Sequence, residues 1–376
     1  MFNTRDDKEG GGVKSKKIIF TGGGSAGHVT PNLALIEKFL QEKWEINYIG
    51  SQTGIEKELI TKLGIPYYGI ATGKLRRYFS WQNFLDPFKI IYGVIQAFIL
   101  CFKLKPEVIF SKGGFVSFPV VVAAWIYRIP IIIHESDLTI GLANKLSFLF
   151  ATKICVTFPD TALQVKNREK VVITGIPIRK DFLNGNAKLG REICGFTSDK
   201  KIILVFGGSL GADQINQVVR QLLPDILDSF QIVHVCGKGK VDASCNYPGY
   251  KQFEYLHEEF THILAASNLV IARSGANTVY ELIALRKPNI LLPLGESASR
   301  GDQILNAKYC VDKGFSQMIL QEQLTAKVLL EKIKVVEQSG DAMIAAMKKF
   351  EILPAAELIY GLICLVIASR RHERIS

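Results

Sequence analysis

Two short runs with apolar centres, Lys17-Ile-Ile-Phe-Thr21 and Lys201-Ile-Ile-Leu-Val-Phe206, lead straight into glycine-rich sequence, GGGSAGH at 22–28 and GGSLGA at 207–212. A short apolar run bounded by glycine reads as a strand covered on both faces, the kind found in parallel sheets. A helical pattern follows each loop, at Pro31–Gln41 and near Gln214–Leu227. Strand, glycine turn and helix, restarting halfway along the chain, predict an α/β protein of two Rossmann-like parallel-sheet domains facing a cleft.

The intervening runs fit that pattern. Trp44–Gly50, Val108–Phe110, Ile129–Ile133 and Ile154–Thr157 read as strands of the first half; Gln231–Cys236, Leu269–Ala272 and Asn289–Leu292 read as strands of the second. At 376 residues the chain exceeds what one core sustains. The seam is expected near Ile178–Asn186, where a Gly-Ile-Pro-Ile-Arg run leaves the first sheet. The expected division is a disordered leader over 1–15, an N-terminal domain over 16–180, a C-terminal domain over 181–355 and a last helix over 356–376.

A formal net charge of +11 favours a polyanionic partner, which nucleic acid, an anionic lipid surface or a pyrophosphate would satisfy equally. Seven cysteines without a C-x-x-C pair supply no disulfide or zinc framework and fit a reducing cytoplasm. The first 17 residues hold no apolar signal-peptide core. Ile90–Phe102 and Leu358–Ala368 are apolar, but each is shorter than the roughly 20 residues that span a bilayer, so buried or interfacial helices are expected.

A third glycine loop, Lys112-Gly-Gly-Phe-Val-Ser117, also follows a strand-like run. Glycine lets the backbone approach a phosphate, and the next helix offers free N–H groups and the positive end of its dipole. The first loop spells G-x-G-x-x-G at 22–27, but the acids about 20 residues on, Glu42 and Glu45, precede or open the strand read at Trp44–Gly50 and do not close it in the manner of a nicotinamide site; no G-x-x-x-x-G-K-[ST] occurs, so nicotinamide dehydrogenase and P-loop ATPase readings fall. No D-x-D is present and Glu135-x-Asp137 is the only close E-x-D, so no metal and no cofactor is indicated.

GGGSAGHVTPNLAL, SKGGFVSFP, HESDLTIGLANK, GIPIR, GGSLGA, ARSGANTVYEL and DQILNA occur in that order along the chain. In these motifs and their spacing the sequence resembles, over almost its whole length, the MurG family of peptidoglycan glycosyltransferases. The resemblance implies the two-domain GT-B fold, with the last helix crossing back onto the first domain. It also implies inverting transfer of N-acetylglucosamine from its UDP donor to the muramyl 4-hydroxyl of lipid I, giving lipid II. The partners it implies are UDP-N-acetylglucosamine, lipid I and the anionic cytoplasmic face of a membrane, with other cell-wall synthesis proteins left open and nucleic acid not expected.

Carried over residue by residue, Ser25, Ala26, Gly27, Arg179, Ser209, Leu256, Ala276, Glu281, Asp302 and Gln303 would contact UDP-N-acetylglucosamine. Ser209 and the GGSLGA amides would hold its phosphates with Arg179, Leu256 would lie by the uracil, and Glu281 would accept both ribose hydroxyl protons. Gly23, Gly24, Gly27, Gly113 and Gly114 would meet the acceptor pyrophosphate. His28, Glu135 and Asp137 are the candidate catalytic groups, with Asn144 behind them and His134 structural. At a helix N-terminus His28 is expected to be neutral and able to take a proton. Ser136-Asp137 stands where many relatives read Gln-Asn, Phe115 where a tyrosine is common, and Ala26 where a glycine is.

Leu75, Arg76, Arg77, Phe79, Trp81 and Phe84 mix bases with aromatics, a combination suited to headgroup depth on an anionic leaflet. A peripheral membrane location is expected. A UDP-N-acetylglucosamine 2-epimerase, another glycolipid transferase and a lipid- or RNA-binding module are the competing readings.

Overall fold

The computed structural model describes residues 15–24, 26–73, 82–197, 199–207, 212–295 and 301–373. Of the leader expected over 1–15, all but its last residue lies outside them.

The first half contains β1 (Lys17–Thr21), α1 (Ala26–Gln41), β2 (Glu45–Ser51), α2 (Ile55–Thr61), β3 (Tyr67–Ile70), α3 (Gln82–Leu104), β4 (Val108–Ser111), α4 (Ser117–Ile126), β5 (Ile131–Glu135), α5 (Leu142–Ser147), β6 (Lys153–Val156), α6 (Pro159–Ala162) and β7 (Val171–Ile173). The second contains α7 (Lys180–Leu183), α8 (Ala187–Cys194), β8 (Lys201–Phe206), α9 (Asp213–Ile226), β9 (Phe230–Val235), β10 (Tyr250–Phe253), α10 (Glu259–Ala266), β11 (Leu269–Ala272), α11 (Ala276–Ala284), β12 (Asn289–Leu291), α12 (Asp302–Asp312), β13 (Gln317–Met318) and α13 (Ala326–Lys348). A last helix, α14 (Ala355–Glu373), follows.

The strands form two parallel sheets, ordered β3-β2-β1-β4-β5-β6-β7 and β10-β9-β8-β11-β12-β13. In each, strand order reverses beside the unit's first strand, between β1 and β4 and between β8 and β11. Such a switch point opens a crevice at the carboxyl ends of the strands, where ligands bind. All three glycine loops leave β1, β4 and β8 at these points.

Alternate residues feed opposite layers. Ile18, Phe20 and Val108 pack with α1, whereas Ile19, Ile49 and Ile109 pack with α3 and α4. From α14, Ile359, Ile363 and Ile367 are buried in the same cluster as Phe20 and Phe39, so this helix belongs to the core under the first sheet. The chain passes between the units at 174–179 and again at 349–354. Phe158, Ile176, Ala276 and Tyr280 form a small apolar cluster there, with Phe158 also 5.1 Å from the Tyr309 ring.

The apolar run read as Ile90–Phe102 is part of the longer α3, whose stretch Asp86–Leu104 is long and apolar enough to cross a bilayer. Ala97 and Cys101 fix one stripe of it in the core against α4, so the helix lies on the domain surface. Phe88, Ile91, Tyr92, Ile95 and Phe102 point outward and are all at least half exposed.

Candidate active site

The helix after the first glycine loop starts at Ala26, ahead of the Pro31 start read from the sequence, and this puts His28 in its first turn. Two glycine loops meet at the β1/β4 crevice. Gly114 adopts φ +86°, and a side chain there would collide with the Gly23 carbonyl, so the two loops can lie this close only through glycine. Gly113 is likewise left-handed, at φ +90°, and its carbonyl accepts from the Ser117 hydroxyl at 2.7 Å.

Gly24 lies over a buried acid. Its N–H is turned inward to Glu56, at 3.3 Å, because that carboxylate is fully buried beneath the loop and also accepts from the Ser51 N–H at 3.0 Å.

Glu135 ends β5 almost wholly buried. One carboxylate oxygen accepts the Asp137 N–H at 3.1 Å; the other accepts the Gly141 N–H at 2.9 Å and Asn144 Nδ2 at 3.0 Å. Three neutral donors thus tie down the 135–141 loop around it. Asp137, on that loop, accepts from Asn306 Nδ2 of α12 at 3.1 Å, and Asn306 Oδ1 accepts the Leu138 N–H at 3.1 Å. His134 is sealed in the sheet, its Nε2 donating to the Gly175 carbonyl at 2.7 Å, and burial holds its pKa well below the usual histidine range.

Across the cleft α11 presents Ala276 and Asn277, and Asn277 Nδ2 donates to the Gly27 carbonyl at 3.0 Å. Glu281, about one turn along the same helix, has its carboxyl withdrawn from water, which pushes its pKa up to about 8 against the pull of Arg179. Arg179 pairs with Asp181 at 3.0 Å and lies over the Phe182 ring, so guanidinium and carboxyl share one corner beside the linker. Gln303 Oε1 accepts the Leu294 N–H at 3.1 Å, joining the start of α12 to the loop after β12, with Asp302 beside it. Leu256 follows the edge strand β10 and packs on the second core.

Ser25, Ser209, Leu75, Arg76, Arg77, Phe79 and Trp81 lie outside the described residues, as do the side chains of Ala26 and Phe84.

Four residues escaped the sequence reading. Lys112, at the end of β4, is 1% exposed, and its ammonium donates to the Ser136 hydroxyl. Burial lowers its pKa to about 8, while Glu135 and Asp137 oppose that shift. Lys112, Asn277 and Asn306 stand inside quoted motifs and could have been flagged as polar residues in apolar company. Glu56 carries no such signal; its burial comes from tertiary packing alone.

Family models for the glycosyltransferase family 28 N-terminal and C-terminal domains match residues 18–156 and 202–360. These matches, on two parallel-sheet domains, define a two-domain glycosyltransferase of the GT-B class. A Legionella pneumophila (strain Paris) protein named UDP-N-acetylglucosamine–N-acetylmuramyl-(pentapeptide) pyrophosphoryl-undecaprenol N-acetylglucosamine transferase is 52% identical over 350 residues, 93% of this chain and 96% of its own length. The crystal structure of Acinetobacter baumannii MurG superposes with a TM-score of 0.74 at 25% identity, covering 93% of this chain and 99% of that one. The chain belongs to the MurG family of glycosyltransferases. A UDP-GlcNAc 2-epimerase from Neisseria meningitidis shares the fold alone, with a TM-score of 0.65 at 14% identity over 93% of this chain and 99% of its own.

Proposed function

We propose that this chain transfers N-acetylglucosamine from UDP-N-acetylglucosamine to the muramyl 4-hydroxyl of lipid I, forming lipid II with inversion. One observation carries the reading: the first turn of α1, with His28, faces the first turn of α11 across the cleft and is joined to it by the Asn277–Gly27 hydrogen bond. Acceptor and donor anions can then meet over a single base.

The donor lies on the second domain, with Glu281 accepting from the ribose, Arg179 and the Ser209 loop on the pyrophosphate, Leu256 by the base, and Ala276, Asp302 and Gln303 toward the sugar. The acceptor pyrophosphate lies over Gly23, Gly24, Gly27, Gly113 and Gly114. His28 removes the 4-hydroxyl proton as that oxygen attacks the anomeric carbon, and UDP leaves with the bonding pair. Arg179 and fixed backbone amides meet the charge that develops on the leaving phosphate. Glu135, occupied by three N–H donors, shapes the acceptor loop rather than taking the proton.

The enzyme rests on the cytoplasmic face of the membrane through the outward face of α3, together with the bases and aromatics of 75–84 in the sequence leading into that helix. The exposed aromatics of α3 and the chain's positive charge support this arrangement, which brings the cleft to a lipid-anchored substrate.

Incubation with radiolabelled UDP-N-acetylglucosamine and a lipid I analogue tests the proposal. A lipid-linked disaccharide and stoichiometric UDP are expected. Conversion of the UDP-sugar to its 2-epimer without acceptor would replace this reading with the epimerase one.

A further inference from the structure

Lysine is almost never fully buried unless it is paired, because an ammonium removed from water must find compensation. Lys112 is buried at the β1/β4 crevice, under the two glycine loops, and its one hydrogen bond within the loop facing it goes to Ser136, which stands between Glu135 and Asp137. Of the two acids, Glu135 is served by three neutral donors of its own loop. Asp137 takes part in the contact with the other domain, where Asn306 bridges its carboxylate and the Leu138 N–H and also donates to the Ser274 carbonyl at 3.2 Å. A line of contacts thus runs from the floor of the acceptor crevice, through Ser136 and Asp137, to the strand end that precedes α11.

We infer that Lys112 is a positioning residue: it is the counter-charge that holds the Ser136-Asp137 loop in place, so that a carboxylate can meet Asn306 and set how the acceptor crevice abuts the donor domain. The inference rests on the transferase reading. Removing the ammonium takes the Lys112 charge away from the two carboxylates that flank Ser136 on one short loop. Neutralising Asp137 as well removes the need for that cation, and an asparagine there keeps an oxygen for Asn306.

The test uses the full chain and four proteins: wild type, Lys112→Met, Asp137→Asn and the double variant. Lys112→Met should lower Tm by roughly 5–15 °C and kcat on the order of 10-fold or more, with UDP affinity by calorimetry within 2-fold of wild type. In the double variant kcat should recover to within about 3-fold of Asp137→Asn alone, as expected of coupled sites. Should Lys112→Met fail to fold, the added Asp137→Asn must restore a cooperative melt. Near-normal kcat in Lys112→Met, or a double variant whose losses are the product of the two singles, overturns the inference. A wild-type protein that transfers no sugar overturns the functional reading instead, so the two failures are distinguishable.

Discussion

Asn277 of α11 donates its side-chain amide to the main-chain carbonyl of Gly27, 3.0 Å away in the opposite domain. Within an α-helix that carbonyl would accept from the N–H of residue 31. Residue 31 is proline, which has no N–H and whose ring crowds the carbonyl four residues back. A helical interior proline, costing about 3 kcal/mol, therefore leaves one backbone acceptor open to the other domain.

Replacing Pro31 by Ala should raise Tm and lower kcat together, because the restored N–H competes with Asn277 for Gly27. Asn277→Leu should lower kcat by about 3- to 10-fold, the loss of roughly one hydrogen bond, and should make the Pro31→Ala effect on kcat disappear. Additive losses in the double variant would show that the two residues act independently.

Glu281 gives a pH signature. Its folded pKa of about 8 lies above the usual carboxyl range, so at pH 7 the free protein holds a proton that the unfolded chain releases. The stability this contributes is present at low pH and is lost as pH rises through about 8. Accepting two ribose hydroxyls requires the carboxylate, so UDP binding at pH 7 should expel a proton and tighten toward pH 8. Calorimetry in buffers of different ionisation enthalpy measures this. Glu281→Gln should weaken UDP by about 10-fold, as for loss of a charge-assisted hydrogen bond, and abolish the proton release; an equal release from the variant would remove Glu281 from the ribose.

His28 and Glu135 separate by rate. His28→Ala should lower kcat by a factor on the order of 10² to 10⁴ with UDP affinity nearly unchanged. Glu135→Gln, which frees part of the 135–141 loop, should lower Tm and raise the acceptor KM. If Glu135→Gln abolishes turnover while His28→Ala runs near normally across pH, the carboxylate is the base.

Changing Phe88, Ile91, Ile95 and Phe102 together to Ser should reduce co-sedimentation with phosphatidylglycerol vesicles at least 10-fold, since each removed side chain forfeits on the order of 1 kcal/mol or more of apolar burial. All four are at least half exposed, so Tm should move little, and a water-soluble acceptor analogue should still turn over. Unchanged vesicle binding would shift membrane contact to another surface.

Where the sequence was legible, the reason is burial on both faces. β1, β2, β4, β5, β6, β8, β9, β11 and β12 were each read within a residue or two, for these strands sit inside the sheets and show near-continuous apolar runs. The strands not read are β3, β7, β10 and β13, which form the four outer edges; Tyr67–Ile70 and Gln317–Met318 are mostly half-buried and carry no comparable run. The loops of the candidate site were legible because glycine has few other uses at a strand end. The polar contacts beneath them were not. Glu56 under Gly24 and Asn306 opposite Asp137 depend on which elements are brought together across 32 and 169 positions of chain.

The burial of α14 has a consequence for the order of synthesis. Ile359, Ile363 and Ile367 fill the same cluster as Ile18 and Phe20, some 340 positions earlier, so the layer under the first sheet lacks one wall until α14 leaves the ribosome. Domains usually mature in the order they are made. Here the second unit, whose core cluster runs from Cys194 to Met347 with Phe182 and Phe350 packed against it, can close first, and the first unit waits, partly open, for α14.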